Sequence, residues 1–303
     1  MSLIYRQIRT LTIAPGSHPR GLSFLSAASG LVRAGNRLYV VADDENHLGV
    51  FDGGGTEPIR LIRLFEGDLP ASAKKRKAIK PDLEALLLLP AAEAWPAGAL
   101  LALGSGSRSN RLVGALLRLD DRGDVDGRAR PVDLAPLYGG LNSRCAELNI
   151  EGAFVVGTEL ILLQRGNSRG PNAAIRFPLQ HVIAWLSGGS STSLEPSSIR
   201  DYELGIVDGV PLGFTDGTAL PDGSWLFSAV AEQTDNSYDD GACLAAMIGI
   251  VRTDGTLQSM RRLDPTRKVE GIEAQVAGGE VVVSMVTDAD DPSVPAEFGT
   301  TTL

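Results

Sequence analysis

The chain has 303 residues, 43% of them hydrophobic and 21% charged, with 35 glycines and 17 prolines. That composition supports a full core and suits many short strands joined by tight turns. A net charge of −9 and a pI near 4.9 argue against a nucleic-acid partner, and no apolar stretch reaches the roughly 18–20 residues that span a bilayer.

From the N-terminus, MSLIYRQIRTLTIAPG lacks the long apolar core of a signal peptide, so the expected location is cytoplasmic, with no membrane association. Residues 4–14 form a lone strand. From Ser29, SGLVRAGNRLYVVADDENHLGVFD reads as strand, turn, strand, polar loop, strand, and EPIRLIRLF (57–65) adds a fourth. The connection 66–82 carries KKRK at 74–77, a solvated loop by its charge; a helical pattern there is cut by Pro81.

The same design restarts at Glu84, with RARPVDLAPL (128–137) as its last strand, and at Glu151, inside NIEGAFVVG. The third unit includes LQHVIAWLSGG (179–189), enough for a helical turn or two, before SIRDYELGI (198–206). It restarts again at Asp216, closing with TLQSMRRLD (256–264), and at Glu270, where three strands remain. Hairpin signals fall at Asn36–Arg37, Gly157–Thr158, Asp222–Gly223 and Gly278–Gly279.

Four strands per unit at a period above about 40 residues point to an all-β fold, a β-propeller. The motif spacings of 55, 67, 65 and 54 residues give five blades in a single domain 1–303, at about 21–65, 82–137, 149–206, 214–264 and 268–303. The strand 4–14 completes the last blade and closes the ring. A β-sandwich, or a sixth blade hidden in 112–148, is the alternative.

An acid at the head of each innermost strand lies at one rim of the channel, so Glu84, Glu151, Asp216 and Glu270 converge there, with Ser29 at the first blade's matching place. Oxygen-only ligands suit Ca²⁺, or Mg²⁺, and the lack of clustered His or Cys argues against zinc. The alternative is structural, each acid accepting backbone N–H bonds at a turn.

The loops joining second and third strands share that rim. GSGSRSNR (104–111) offers Arg108 and Arg111, and RGNSRGPN (165–172) offers Arg165 and Arg169. With Lys80 and Lys268 they form a candidate binding set for a small anionic ligand. The other three loops are acidic, which predicts a rim with one basic and one acidic half. Glu232, Asp43 and His47 are the candidate bases, and His47 also reads as a surface histidine among carboxylates. Cys145 and Cys243 fall in no metal or redox spacing.

NIEGAFVVGTELILLQ, KPDLEALLLLP and KVEGIEAQ resemble the repeats of esterase-like phytase and SdiA-regulated propellers, and of an uncharacterised bacterial propeller family near them. The resemblance implies a calcium-associated propeller with a phosphate-ester substrate. Glu84, Glu151, Asp216 and Glu270 match the family acids, while Ser29 departs from them. Three readings stay open: a cation-dependent hydrolase, a non-catalytic propeller binding a small ligand or a protein, and acids that serve the fold alone.

Overall fold

The computed structural model describes residues 2–141, 144–145, 147–166, 170–189, 193–233 and 241–303. Five sheets form a ring, a five-bladed β-propeller. Blade 1 contains Ala28–Ala34, Arg37–Ala42, His47–Phe51 and Arg60–Arg63, in order from the channel outward. Blade 2 runs Leu83–Leu89, Ala99–Gly104, Val113–Leu119, Val125–Asp133, and blade 3 Ile150–Val156, Glu159–Gln164, Asn172–Pro178, Ser198–Tyr202. Blade 4 runs Val210–Ala219, Trp225–Gln233, Ala242–Val251, Leu257–Asp264. Blade 5 takes Val269–Ala277, Glu280–Thr287 and Glu297–Thr302 from the end of the chain and Arg6–Thr10 from its start.

Each innermost strand packs on the next, and that of blade 5 returns to that of blade 1. No room is left for a sixth blade, because 113–133 supply the outer two strands of blade 2. The N-terminal strand does more than close one sheet. Leu3–Ile4 first pairs in parallel with Leu263–Asp264 on the outer edge of blade 4, before Arg6–Thr10 joins blade 5. Two blades are thus tied by one short segment.

The apolar residues form five clusters, one in each cleft between adjacent blades. A blade covered on both faces needs no polar side, which is why its central strands read as unbroken apolar runs. Every residue of Ala99–Gly104 is buried, as is Leu38–Ala42.

Turns follow the glycine positions. The first hairpin turns at Gly35–Asn36, one residue earlier than the sequence pattern suggests, because Gly35 takes the positive φ of 55°. Pro81 limits the connection 66–82 without abolishing its helix: Ala73–Ile79 is helical and stops before the proline. Leu179–Leu186 is also a helix, inserted between the outer strands of blade 3. Among the described residues, no helix is long and apolar enough to cross a membrane.

Candidate functional site

Every innermost strand carries a β-bulge, near its start in blades 1, 2, 3 and 5 and midway along Val210–Ala219 in blade 4. The ladder skips one residue between Ala28 and Gly30, Leu83 and Ala85, Ile150 and Gly152, Phe214 and Asp216, and Val269 and Gly271. The bulged residues are therefore Ser29, Glu84, Glu151, Thr215 and Glu270. A bulge leaves its extra residue unpaired and re-aims its side chain.

The next position explains the Glu-Gly step. A Cβ on Gly152 would meet Asp216 Cα at 2.8 Å, one on Gly271 would meet Leu31 N at 2.8 Å, and one on Gly30 would meet Leu86 N at 2.9 Å. The glutamate occupies the bulge; the glycine lets the neighbouring blade approach.

Asp216 therefore departs from the expected ring. It takes the place of glycine, and Thr215 occupies the bulge. The Thr215 hydroxyl contacts Val269 O and Ser228 Oγ, each at 2.7 Å. Asp216 Oδ2 accepts the Ile272 N–H at 2.8 Å, clamping blade 4 to blade 5. Glu273, on the same strand of blade 5, is raised to about 7 by burial against the pull of Arg33 in blade 1. Among the repeated acids, Asp216 takes the structural role, a carboxylate accepting a backbone N–H.

Around the mouth, charges alternate. Lys80 Nζ lies 2.9 Å from Asp82 Oδ1 and contacts Asp43 Oδ2, and Arg111 Nη1 reaches Asp82 Oδ2 at 2.6 Å. The Ser105 hydroxyl donates to the same oxygen at 2.6 Å. Across the channel Arg165 pairs with Glu232 at 2.6 Å and stands 3.7 Å from Glu151, to which Asn149 Nδ2 also donates. Lys268 Nζ sits 3.6 Å from Glu232 and 3.5 Å from Glu270, and contacts Asp290.

Eight carboxyl groups (43, 82, 84, 151, 232, 270, 288 and 290) meet four bases (80, 111, 165 and 268). Among the described residues carboxyl groups outnumber bases, and it shows in the proton affinities. Burial, reinforced by Asp82 and Glu151, pushes Glu84 well above the carboxylate range. Burial raises Glu270 to about 8 against the pull of Lys268 and Arg165, and raises Glu151 and Asp288 as well. Glu232 is the exception: burial would raise it, but Arg165 and Lys268 hold it below its usual value. Burial alone would depress Lys80; Asp43, Asp82 and Glu84 instead hold it well above the ordinary lysine range.

One oxygen each from Asp43, Asp82 and Glu84 lie within 4.8 Å of one another. Two ligands of one Ca²⁺, each about 2.4 Å from it, can stand up to about 4.8 Å apart, and two of one Mg²⁺ up to about 4.2 Å, so oxygens within that bound admit either ion. Glu84 is half-buried and makes no hydrogen bond or ion pair among the described residues.

Of the residues singled out from sequence, Asp43, Lys80, Glu84, Arg111, Glu151, Arg165, Glu232, Lys268 and Glu270 meet at this mouth. Arg108 is exposed on its loop. Arg169 lies outside the described residues. His47 is not a surface base: it is 6% exposed, packed near His18, with Nδ1 3.9 Å from Glu45 Oε2.

The basic half-rim is also corrected. Lys80, Arg111, Arg165 and Lys268 are each held by carboxylates, so charges intermix. Asp82 is not among the residues singled out from sequence, and Asp288 and Asp290 enter there only as part of an acidic loop. For Asp82 a signal existed: it stands two residues before its bulge acid, as Asn149 and Lys268 do. A further network behind the mouth also had no sequence signal. In it His18 Nε2 and Arg20 both contact Glu45, which burial would raise but these partners hold down to about 2.

Solved structures share this architecture. A candidate glycoside hydrolase from Parabacteroides distasonis superposes with a TM-score of 0.51 at 10% identity, over 98% of this chain and 96% of that one. One from Bacteroides ovatus gives 0.50 at 10%, with the same coverage. Glutaminyl cyclase from Myxococcus xanthus gives 0.49 at 10%, over 99% and 98%. At such identity the likeness is one of fold. No curated protein matches significantly in sequence. One family profile, described as a family of unknown function, matches residues 24–303.

Proposed function

We propose, for a chain that belongs to the family of unknown function DUF6929, that the channel mouth binds a divalent cation at Asp43, Asp82 and Glu84 and serves hydrolysis of an ester, phosphate esters included. The observation that carries this reading is the three-carboxylate cluster, with oxygens within 4.8 Å of one another at a mouth already in negative excess. Carboxylate oxygens suit a hard cation, and the larger, more flexible coordination of Ca²⁺ suits side chains drawn from two blades.

When bound, such a cation polarises a carbonyl or phosphoryl oxygen. The remaining work falls to the chain's own groups. Glu270, which exchanges its proton near 8, is better matched to acid–base work at neutral pH than Glu232, which stays ionised. Arg165 and Lys268 hold Glu232, and Lys268 faces Glu270.

A second reading, a non-catalytic binding propeller, is favoured by one feature. Lys80, Arg111, Arg165 and Lys268 are already engaged by carboxylates, so an oxyanion would have to displace a partner from each.

The test is metal analysis of the purified protein with thermal melts in chelator and in added Ca²⁺, followed by a panel of carboxylic and phosphate esters. A stoichiometric cation, a melting point lowered by chelation and restored by Ca²⁺, and turnover that follows the metal support the hydrolase. Stabilisation without turnover supports the binding propeller. An absence of bound metal and of any shift removes the cation site.

A further inference from the structure

Resting on the cation reading above, we infer that Lys80 is a tethered competitor for the cation site, which a divalent ion must displace and a monovalent ion cannot. Its ammonium is buried, with its side chain 9% exposed, and touches two of the three candidate ligands, Asp43 and Asp82. A cation already occupies the cluster, covalently attached to the chain.

The attachment allows exchange. The Lys80 backbone is fixed independently of its side chain: its N–H donates to Arg76 O at 2.8 Å, and its carbonyl accepts from Asn110 Nδ2 at 2.9 Å. Arg76 anchors the preceding helix through Asp44 at 3.1 Å and the carbonyls of Pro70 and Ala71 at 3.0 Å each. The ammonium itself is held by Asp43 and Asp82. Swinging it out therefore breaks those two ion pairs and disturbs neither helix nor bulge. The half-buried Glu84 leaves a way in from solvent.

Charge decides the exchange. A monovalent ion replacing the ammonium brings no additional charge and loses the advantage of the tether. A divalent ion brings one more unit of charge to a mouth with excess carboxylates, and it also engages Glu84. Lys80 thus sets a charge threshold, making the mouth answer to divalent ions against a background of Na⁺ or K⁺.

The experiment compares the full-length wild type with Lys80→Met, Lys80→Gln and Lys80→Arg. Ca²⁺ binding is measured by calorimetry, and thermal melts are run in chelator, Ca²⁺, NaCl and methylammonium chloride, with tetramethylammonium chloride as the ionic-strength control. Removing a charge-assisted competitor should tighten Ca²⁺ binding by roughly 10- to 100-fold in the Met and Gln variants, while Arg stays near wild type. In chelator both neutral variants should melt below wild type. NaCl or methylammonium should rescue them and leave the wild type unmoved.

Wild-type binding that is unchanged or weakened in the neutral variants overturns the competitor role and leaves the cation site standing. Absence of Ca²⁺ binding in every form overturns both. Lys80→Gln keeps the inference falsifiable should Lys80→Met fail to fold.

Discussion

Replacing Arg165 with Met tests whether the mouth is a dry, coupled charge network or a ring of solvated side chains. The guanidinium lies 2.6 Å from Glu232 and 3.7 Å from Glu151, and its side chain is 18% exposed. The stem packs over Gly213, where a Cβ would stand 2.9 Å from Arg165 Cγ, and Met preserves that packing. What Met removes is the charge, leaving Glu151 at 7% and Glu270 at 5% exposure with less compensation.

Removing one partner of a buried pair costs about 3–5 kcal/mol. Lys268 still faces Glu232 and Glu270, and Asn149 still donates to Glu151, so about 3 kcal/mol is expected near neutral pH. The sign with pH follows from Glu232. Its folded pKa is depressed in the wild type, so its stabilisation is present above the unfolded value of about 4.3 and fades as pH falls through the folded value. In the variant Glu151, Glu232 and Glu270 all take up protons more readily, and the penalty falls on acidification. Urea unfolding in chelator should show about 3 kcal/mol lost at about pH 7.5, shrinking to about 1 kcal/mol at about pH 5. An equal loss at both values refutes the electrostatic account, and no loss at either refutes the dry network.

Three further changes separate structural from functional acids. Asp216→Ala should cost about 1–3 kcal/mol by orphaning the Ile272 N–H, whereas Asp216→Asn should be nearly neutral, because burial already favours the uncharged acid; neither should alter a Ca²⁺-induced melting shift, and a shift abolished by Asn would make Asp216 a ligand. Gly152→Ala drives a Cβ to 2.8 Å from Asp216 Cα, so overpacking should cost about 1–3 kcal/mol by urea unfolding, and a wild-type midpoint would show that the two blades can part. Burial raises Glu273 to about 7 against the opposing pull of Arg33, so its contribution is full below about 4.3 and lost as pH rises through about 7. Glu273→Gln should therefore flatten the pH dependence of stability, gaining up to about 3 kcal/mol on the wild type between pH 5 and 8.5; parallel profiles would contradict the raised value.

The architecture was legible because a propeller repeats itself. Unbroken apolar runs such as LYVVA and ELILLQ, glycine turns and a recurring acid mark each blade. The strand 4–14 hides the change of sheet because a one-residue hop at Tyr5 alters no local pattern. At the site, the motif Glu-Gly reads from sequence as an acid at a strand start. Its two letters answer to different forces, a bulge that turns the first outward and a neighbouring strand that forbids a side chain on the second.

Blade 4 separates those forces. Its bulge carries Thr215, and the following position carries the acid, which fits because Gly152 across the interface leaves room. A pattern aligned on acids lands one residue late there, and in a bulged strand one residue separates a channel-facing group from one wedged between blades. The bulge is thus the conserved geometry of this ring, and the acid is one of several groups mounted on it: Ser29 caps Asp43 N–H at 3.1 Å, Thr215 ties blade 4 to Val269, and three glutamates supply charge. Hydroxyls at two bulges and carboxyls at three make the mouth asymmetric. Two bases then meet the charge at Glu151 and Glu270, and among the described residues Glu84 is the bulge acid without an ion pair, which is why the proposed cation is expected on that side of the mouth.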